Sequence, residues 1–209
     1  MPRPARYADT EVLDRAYDLL WRDGCDAVSI RDLEIALDLK APSIYRRFHT
    51  RDELVARSVD RYVERVVAGR IRRHLDASVD PVAGLRAFFV SALRPAPGEA
   101  VPRGCLLTVT AGQAAIDTPA VRTAVDTGLA AVESAFRIQV HRAALAGRVA
   151  AGADPDALAT TLLVAFQGML VLARSGWSGL DAAAGELLDA CFPLPAPSVP
   201  AIERNPIHE

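Results

Sequence analysis

Apolar residues recur every three or four positions along most of this chain, which is the spacing of helices that bury one face. No segment shows the strict alternation of apolar and polar residues that is typical of a half-buried strand. A capping residue stands directly before a proline at Asp80-Pro81, Thr118-Pro119 and Asp154-Pro155, a common way for a helix to begin. The pattern therefore predicts an all-α protein.

Nine helices are predicted, three in an N-terminal part and six in a larger C-terminal part. Gly24 is expected to end the first helix in a left-handed conformation. The prolines and glycines of residues 94–104 predict a loop, and Pro193, Pro195, Pro197 and Pro200 predict an irregular tail. These features divide the chain into domains at 1–50 and 51–192 and a tail at 193–209. The approximate helix bounds are 9–22, 30–37, 41–48, 51–75, 81–93, 105–116, 119–146, 155–175 and 180–190.

Residues 29–54 predict a helix-turn-helix. Ser29 followed by Asp32 is a helix-start pattern, and Pro42 suits the first turn of a second short helix. Ile44 and Phe48 then face inward, which leaves the opposite face of that helix free to enter a DNA major groove.

The outward face of this segment carries groups suited to DNA. Between Leu39 and Arg51 there are five basic or histidine residues and no acid, whereas residues 9–38 are rich in Asp and Glu. Arginine and lysine can contact phosphates and guanine edges, and hydroxyl groups can bond phosphate oxygens. An arginine-rich, solvated helix pair in an ordinary bundle has the same composition. The candidate DNA-binding residues are Ser29, Arg31, Lys40, Ala41, Pro42, Ser43, Tyr45, Arg46, Arg47, His49 and Arg51.

Four groups of residues form a pattern between about residue 6 and residue 66: Gly24, Ser29-Ile30-Arg31-Asp32-Leu33, Ile44-Tyr45-Arg46-Arg47-Phe48 and Thr50-Arg51-Asp52-Glu53-Leu54. With this pattern the segment resembles the DNA-binding domain of the TetR family of transcriptional regulators. The family pattern has a glycine after the first helix, a Thr/Ser-hydrophobic start to the second, a Leu-Tyr-x-x-Phe-like end to the third, and then a small polar residue, a basic residue and Glu-Leu. Asp38 departs from the usual turn glycine, and Ile35 with Leu37 replaces commoner small residues.

The resemblance implies a homodimer that binds a double-stranded DNA operator, as a repressor released by a small-molecule effector. It also implies that the six-helix C-terminal domain binds that effector and that the last two large helices pair with those of a second subunit. The uncharged stretch 157–173 fits the dimer role, since it has small residues that permit close approach. The candidate dimer residues are Leu158, Leu162, Ala165, Gly168, Met169 and Leu172.

Aromatic and isolated polar residues of the apolar C-terminal helices are candidates to line an effector pocket, although each has the composition of ordinary core as well. Cys105 follows Arg103 at a predicted helix start, so it is either a redox-sensing thiol or a buried structural one. A different class of function also fits: a helical adaptor whose basic head binds an acidic protein. The candidate pocket residues are Phe88, Phe89, Cys105, Val109, Gln113, Phe136, Gln139, Phe166, Met169 and Trp177.

Composition narrows the remaining possibilities. The net charge is −2, but residues 1–75 hold 15 basic against 13 acidic residues and residues 76–209 hold 9 against 13, which agrees with a nucleic-acid-facing N-terminal part. The three cysteines and four histidines form no metal-binding or catalytic motif, so we expect no metal, no cofactor and no enzyme activity. The start of the chain lacks an apolar signal segment, which predicts a cytoplasmic protein. The stretch 157–173 is at the lower limit for spanning a membrane, and its polar residues favour burial in protein instead.

Overall fold

The computed structural model describes residues 7–150 and 152–193. Within these ranges the chain is helical and contains no strand, which confirms the all-α prediction. The predicted tail beyond Pro193 and the arm up to residue 6 lie outside the described residues. The helices are α1 Asp9–Asp23, α2 Ile30–Leu37, α3 Ala41–Phe48, α4 beginning with Arg51–Tyr62, α5 Pro81–Leu93, α6 Leu106–Ala111, α7 Pro119–Leu145, α8 Pro155–Arg174 and α9 Leu180–Cys191.

The helix α4 continues without a break to residue 76 through two wider, π-helical stretches. These are Val63–Val67 and Arg72–Asp76, with an α-helical turn at Ala68–Ile71 between them. The predicted single helix over 51–75 is therefore correct in extent, but not in regular geometry. Because α4 leaves the N-terminal helices and packs along α7, it physically connects the two parts of the molecule. We call α1–α3 the head and α4–α9 the body.

The head folds around the apolar residues that the sequence pattern places on its inner faces. Leu33, Leu37, Ile44 and Phe48 are all fully buried. The predicted start of α2 is present, since the Asp32 backbone N–H donates to Ser29 Oγ at 3.2 Å and the Asp32 carboxylate accepts from the Ser29 backbone at 2.9 Å.

The turn between α2 and α3 is left-handed at Asp38, with φ +51° and ψ +43°. Asp tolerates this conformation better than most residues, which explains how it can replace the usual glycine. At the end of α1, Gly24 also has positive φ (+89°), but its ψ of 151° is extended, so the predicted left-handed helical stop is wrong in ψ.

One helix prediction fails. Residues 105–116 form the short α6 and a separate 3-10 turn at Ala114–Asp117 instead of a single helix. Contacts with the head explain the break, because the Asp26 carboxylate accepts the backbone N–H groups of Ala114 and Ala115 at 2.7 and 3.1 Å. These bonds start a new turn that sequence periodicity alone does not indicate.

The body core lies between α4, α5, α7 and α8. Gly128 of α7 allows a close crossing, since a Cβ atom there would lie 2.7 Å from a Leu107 methyl and 2.8 Å from a Val63 methyl. Larger residues at this position would push α7 away from α4 and α6.

Candidate nucleic-acid interface and body sites

The helix α3 presents an outward face without acidic side chains. Ile44 and Phe48 fix the helix to the head core, and Tyr45, which is 43% exposed, lies on the opposite side with Arg46. Lys40, Pro42 and His49 are exposed at the two ends of the helix. This surface offers cationic, aromatic and hydroxyl groups from one short helix, which is the chemistry that contacts phosphates and base edges.

Two of the candidate arginines, Arg47 of α3 and Arg51 at the start of α4, bind backbone or carboxylate oxygens of the head. Arg47 donates to the backbone oxygen of Tyr7 at 3.0 Å and lies 3.4 Å from the Asp9 carboxylate, with only 13% of its side chain exposed. Arg51 donates to the backbone oxygens of Cys25 and Val28, the latter at 2.9 Å. Their guanidinium groups hold the loop and the N-terminal segment around α1, so in this structure they are not presented on the outward face with Arg46.

The other candidates surround the start of α2 and α3. Ser29 caps α2, and Arg31 is exposed in its first turn. At the start of α3 the backbone N–H of Ala41 donates to Glu34 Oε1 at 2.7 Å. Ser43 Oγ lies 3.4 Å from an Arg46 nitrogen, so this hydroxyl is next to the outward face.

The aromatic candidates of the body form one packed cluster. Phe88, Phe89, Phe136 and Phe166 are at most 2% exposed, and their ring centroids lie 4.8–5.7 Å apart in tilted, stacked and edge-to-face pairs. Such spacing is that of a filled aromatic core. The structure brings the four rings together as packing partners and not as the walls of an open pocket.

The remaining pocket candidates are dispersed. Gln139 is buried and accepts from Arg142 at 2.7 Å, so its amide oxygen has a partner. Gln113 lies at the junction with the head, and Trp177 is 66% exposed after α8. Val109 and Met169 are half-buried. The structure therefore does not bring these residues together with the phenylalanines around one cavity.

Cys105 is buried in the junction of α4 and α6. Its Sγ atom lies 3.7 Å from the hydroxyl of Tyr62, whose pKa is raised by burial. Arg103, the cation that the sequence places near this thiol, donates to the carboxylates of Asp18 and Glu99. Burial opposes the charge of Arg103, but these two hydrogen bonds raise its pKa above the usual value. An oxidant would reach Cys105 only after this junction opened.

Several polar contacts join the head to the body. The Arg174 guanidinium of α8 donates to the backbone oxygens of Trp21, Arg22 and Arg103 at 3.0, 2.9 and 2.7 Å. The Asp26 carboxylate, in the loop after α1, accepts from the backbone of Ala114 and Ala115 in the body. Sequence reasoning missed this set, since the partners are up to 153 positions apart and no local pattern relates them.

An apolar stripe runs along the outside of α8. Val164, Val171 and Leu172 are 68%, 53% and 43% exposed, and Gly168 lies between them. Ile138 of the neighbouring α7 is 57% exposed. Of the predicted dimer residues, Leu162 is fully buried in its own chain, so it cannot contact a second subunit directly, and Leu158, Ala165 and Met169 are half-buried.

By length and composition alone α8 could cross a membrane, since it has 20 residues and its mean hydropathy reaches 1.7 over 18 of them. In the structure 28% of that 18-residue stretch is buried. In the fold it packs along α7, with Ala159, Phe166 and Leu170 buried in the body core. Its outer apolar face therefore calls for cover by some other surface.

The arrangement defines a helix-turn-helix DNA-binding protein with a helical body. Two family models match the chain: "Bacterial regulatory proteins, tetR family" over residues 12–57 and "Tetracyclin repressor-like, C-terminal domain" over residues 81–176. The chain belongs to the TetR family of transcriptional regulators.

Relatives and solved structures agree with this assignment. The HTH-type transcriptional repressor ComR of Escherichia coli (strain K12) is 25% identical over 176 residues, which is 84% of each chain. A cysteine-substituted TetR family transcriptional regulator CifR, solved with 26-bp double-stranded operator DNA, is 26% identical with a TM-score of 0.78 over 90% of this chain and 99% of that chain. The reduced form of NemR from E. coli is similar in fold alone, at 16% identity, with a TM-score of 0.79 over 90% of this chain and all of that chain.

Proposed function

We propose that this regulator is a cytoplasmic homodimeric repressor that binds a near-palindromic operator and is released by a small-molecule effector. The observation that carries the proposal is the exposed, acid-free face of α3, held by a buried core. Lys40, Ser43, Tyr45, Arg46 and His49 would contact the DNA. ComR, a relative over most of the chain, is named as a repressor, and the CifR structure contains operator DNA.

Dimerisation is supported by the exposed apolar stripe on α8 and by Ile138 beside it on α7. Two copies that pair through these helices would cover the apolar stripes of both subunits. A dimer of this kind also suits a DNA-binding protein, because it presents two recognition helices to the DNA. A two-fold dimer presents its recognition helices about 34–36 Å apart and therefore requires a site with matching symmetry.

Effector release requires that the effector bind the DNA-incompetent arrangement more tightly than the competent one, and by linkage DNA then weakens effector binding by the same factor. The polar junction between head and body supplies the mechanical connection. A shift of α6 or of the 94–104 loop would move the contacts at Cys25, Asp26 and Asp18, and with them the orientation of α3. The separation of the two recognition helices in a dimer would change in consequence.

The test is binding to a duplex taken from the protein's own mapped genomic sites. We expect the logarithm of the binding constant for that duplex to fall linearly with the logarithm of the salt concentration, because phosphate neutralisation releases counterions. We also expect the affinity for that duplex to exceed the affinity for a scrambled duplex by about 10³-fold or more. Equal affinity for both duplexes would remove the claim of sequence-specific recognition. Binding to acidic proteins without binding to DNA would favour the adaptor function instead.

A further inference from the structure

A cavity of about 440 Å³ lies where α1 of the head meets the body. Asp18 and Trp21 of α1 form one side of it, Arg70 of α4 a second, and the end of α5 with the 94–104 loop the rest. Its volume falls in the ordinary range of small-molecule sites. It lies apart from the aromatic cluster described above, since none of those four phenylalanines lines it.

Two polar atoms of residues that line this cavity are buried without a hydrogen-bond partner among the described residues. They are the indole Nε1 of Trp21, a donor, and Oε2 of Glu99, an acceptor. Unpaired buried polar atoms are uncommon in folded proteins, because each loses its bonds to water without compensation. A ligand that accepts from the Trp21 indole would remove one of these costs.

The cavity also holds more cationic than anionic side chains. Arg70, Arg94 and Arg103 line it against Asp18 and Glu99. Arg103 is occupied by both carboxylates, and it lies over the Trp21 ring with its guanidinium carbon 5.5 Å from the centroid. Arg70 and Arg94 form no ion pair within the described part of the chain, and Arg70 rests 5.9 Å from the Phe88 centroid. Two guanidinium groups are thus available to an anion.

We propose that this cavity is the effector site and that it takes an organic carboxylate with an apolar body. The carboxylate would be held by Arg70 and Arg94, whose planar guanidinium groups match its geometry, and would accept from the Trp21 indole. The apolar body would lie against Trp21, Ala92, Pro95 and Ala96. The coupling to DNA rests on the proposed function, whereas the binding itself does not.

The site has a direct route to the head. Asp18 and Trp21 belong to α1, and Arg103 joins Asp18 to Glu99 of the loop. An anion held by Arg70 and Arg94 would lie beside Asp18 and Glu99 in the same cavity, and its charge would repel these two carboxylates and attract Arg103, which would weaken the attachment of α1 to the body. Effector binding and the position of the head are therefore linked through one guanidinium group.

The experiment titrates the full-length protein, without DNA, with 2-naphthoate and octanoate and with their neutral amides, by calorimetry. We expect at least one carboxylate to bind with a dissociation constant on the order of 1 mM or tighter, and its amide to bind at least about tenfold more weakly. Arg70→Gln, which removes a charged donor, and Trp21→Phe, which removes a neutral one, should each weaken carboxylate binding by about fivefold to tenfold. Glu99→Gln should strengthen carboxylate binding, because it removes a negative charge that repels the ligand carboxylate. Arg73→Gln, an exposed arginine on the same helix that does not line the cavity, is the matched control and should leave binding unchanged.

Binding of neither carboxylate at about 10 mM, equal binding of acid and amide, or equal weakening by Arg70→Gln and Arg73→Gln would each overturn the site. Circular dichroism of every variant separates a lost site from a lost fold. Operator affinity, measured separately with and without the carboxylate, distinguishes the two proposals. A carboxylate that binds in this cavity while the protein fails to bind any duplex would contradict the proposed function and leave the site standing.

Discussion

The backbone N–H of Cys25 donates a hydrogen bond to Oε1 of Gln113 at 2.7 Å, and this bond joins the head to the body. Cys25 lies in the loop between α1 and α2, while Gln113 lies in the break between α6 and the following 3-10 turn. The same amide packs against Gly24, where a Cβ atom would lie 2.5 Å from Gln113 Nε2. Gln113 is therefore a connector, and replacing it tests the junction directly.

Replacing Gln113 with Ala should lower the free energy of unfolding by about 1–3 kcal/mol, since the Cys25 N–H loses its acceptor in a part-buried site. Urea denaturation measures this. Gln113→Glu keeps an acceptor of the same length and is the matched control, with a smaller loss expected. If the Ala variant were as stable as the wild type, water would be satisfying the Cys25 N–H and the contact would contribute nothing to the free energy of unfolding.

The outward and inward arginines of α3 should behave differently. Arg46→Ala should weaken operator binding by about 1–3 kcal/mol and leave the unfolding midpoint unchanged, because its side chain is exposed. Arg47→Ala should lower stability, because it removes a mostly buried guanidinium from Tyr7 and Asp9. Anisotropy with labelled operator and thermal unfolding measure the two effects. Stability loss in Arg46→Ala without loss of affinity would show that the wrong face has been assigned to DNA.

Tyr45→Ala is expected to weaken operator binding to a similar extent, about 1–3 kcal/mol, without changing helicity. Tyr45→Phe keeps the ring and removes only the hydroxyl, so it separates a phosphate hydrogen bond from stacking or apolar contact. Full affinity in Tyr45→Ala would place this exposed ring outside the DNA contact.

The fold was largely predictable because it rests on local signals. Helix-start residues such as Ser29, Thr50 and Asp80 cap helices through their own side chains, and periodic apolar residues fill one core. The site was predictable only in part. Tyr45 and Arg47 are two positions apart on one helix, but Tyr45 is exposed whereas Arg47 binds the backbone oxygen of Tyr7. Because Tyr7 is distant in sequence, no local pattern indicates this difference.

The cavity between α1 and the body could not be predicted for the same reason. Trp21, Arg70 and Glu99 come from three separate segments, and only the packing of α1 on the body brings them together. The aromatic pattern that suggested a pocket in the body describes a filled core instead. The apolar character of the side chains predicted which residues would be buried, but not whether a cavity would remain next to them.

Dimerisation through α8 predicts that Leu172→Asp or Val164→Asp gives monomers that lose operator binding, because each places a charge on the exposed apolar stripe. Analytical ultracentrifugation at micromolar concentration measures the state. Val79→Asp is the control, since Val79 is 93% exposed in the loop before α5 and lies away from the stripe. A wild-type monomer, or dimers that persist in both stripe variants, would rule out this interface.

The ion pair between Asp14 of α1 and Arg61 of α4 gives stability a specific pH dependence. Arg61 donates to both carboxylate oxygens, at 2.7 and 3.1 Å. These hydrogen bonds lower the pKa of Asp14 against an opposing effect of burial, and the charges of Arg61 and Arg65 lower it further. Because the folded-state pKa is below the unfolded one, the pair stabilises the fold fully above the unfolded pKa of about 4. The contribution is lost as pH falls through the lower, folded-state pKa.

Asp14→Asn should therefore cost about 0.5–1 kcal/mol at neutral pH, a figure reduced for the partial exposure of the carboxylate. The difference from wild type should disappear in the acid range, below the folded-state pKa of Asp14. Urea unfolding at a series of pH values checks both statements. Asp23→Asn is the control for a surface ion pair. The pKa of Asp23 is also lowered, by its hydrogen bond to Arg22, but this partner is its exposed sequence neighbour and the pair joins no two helices, so we expect a smaller stability difference. A constant stability difference at every pH would show that the variant acts through packing of α1 on α4 and not through the charge of Asp14.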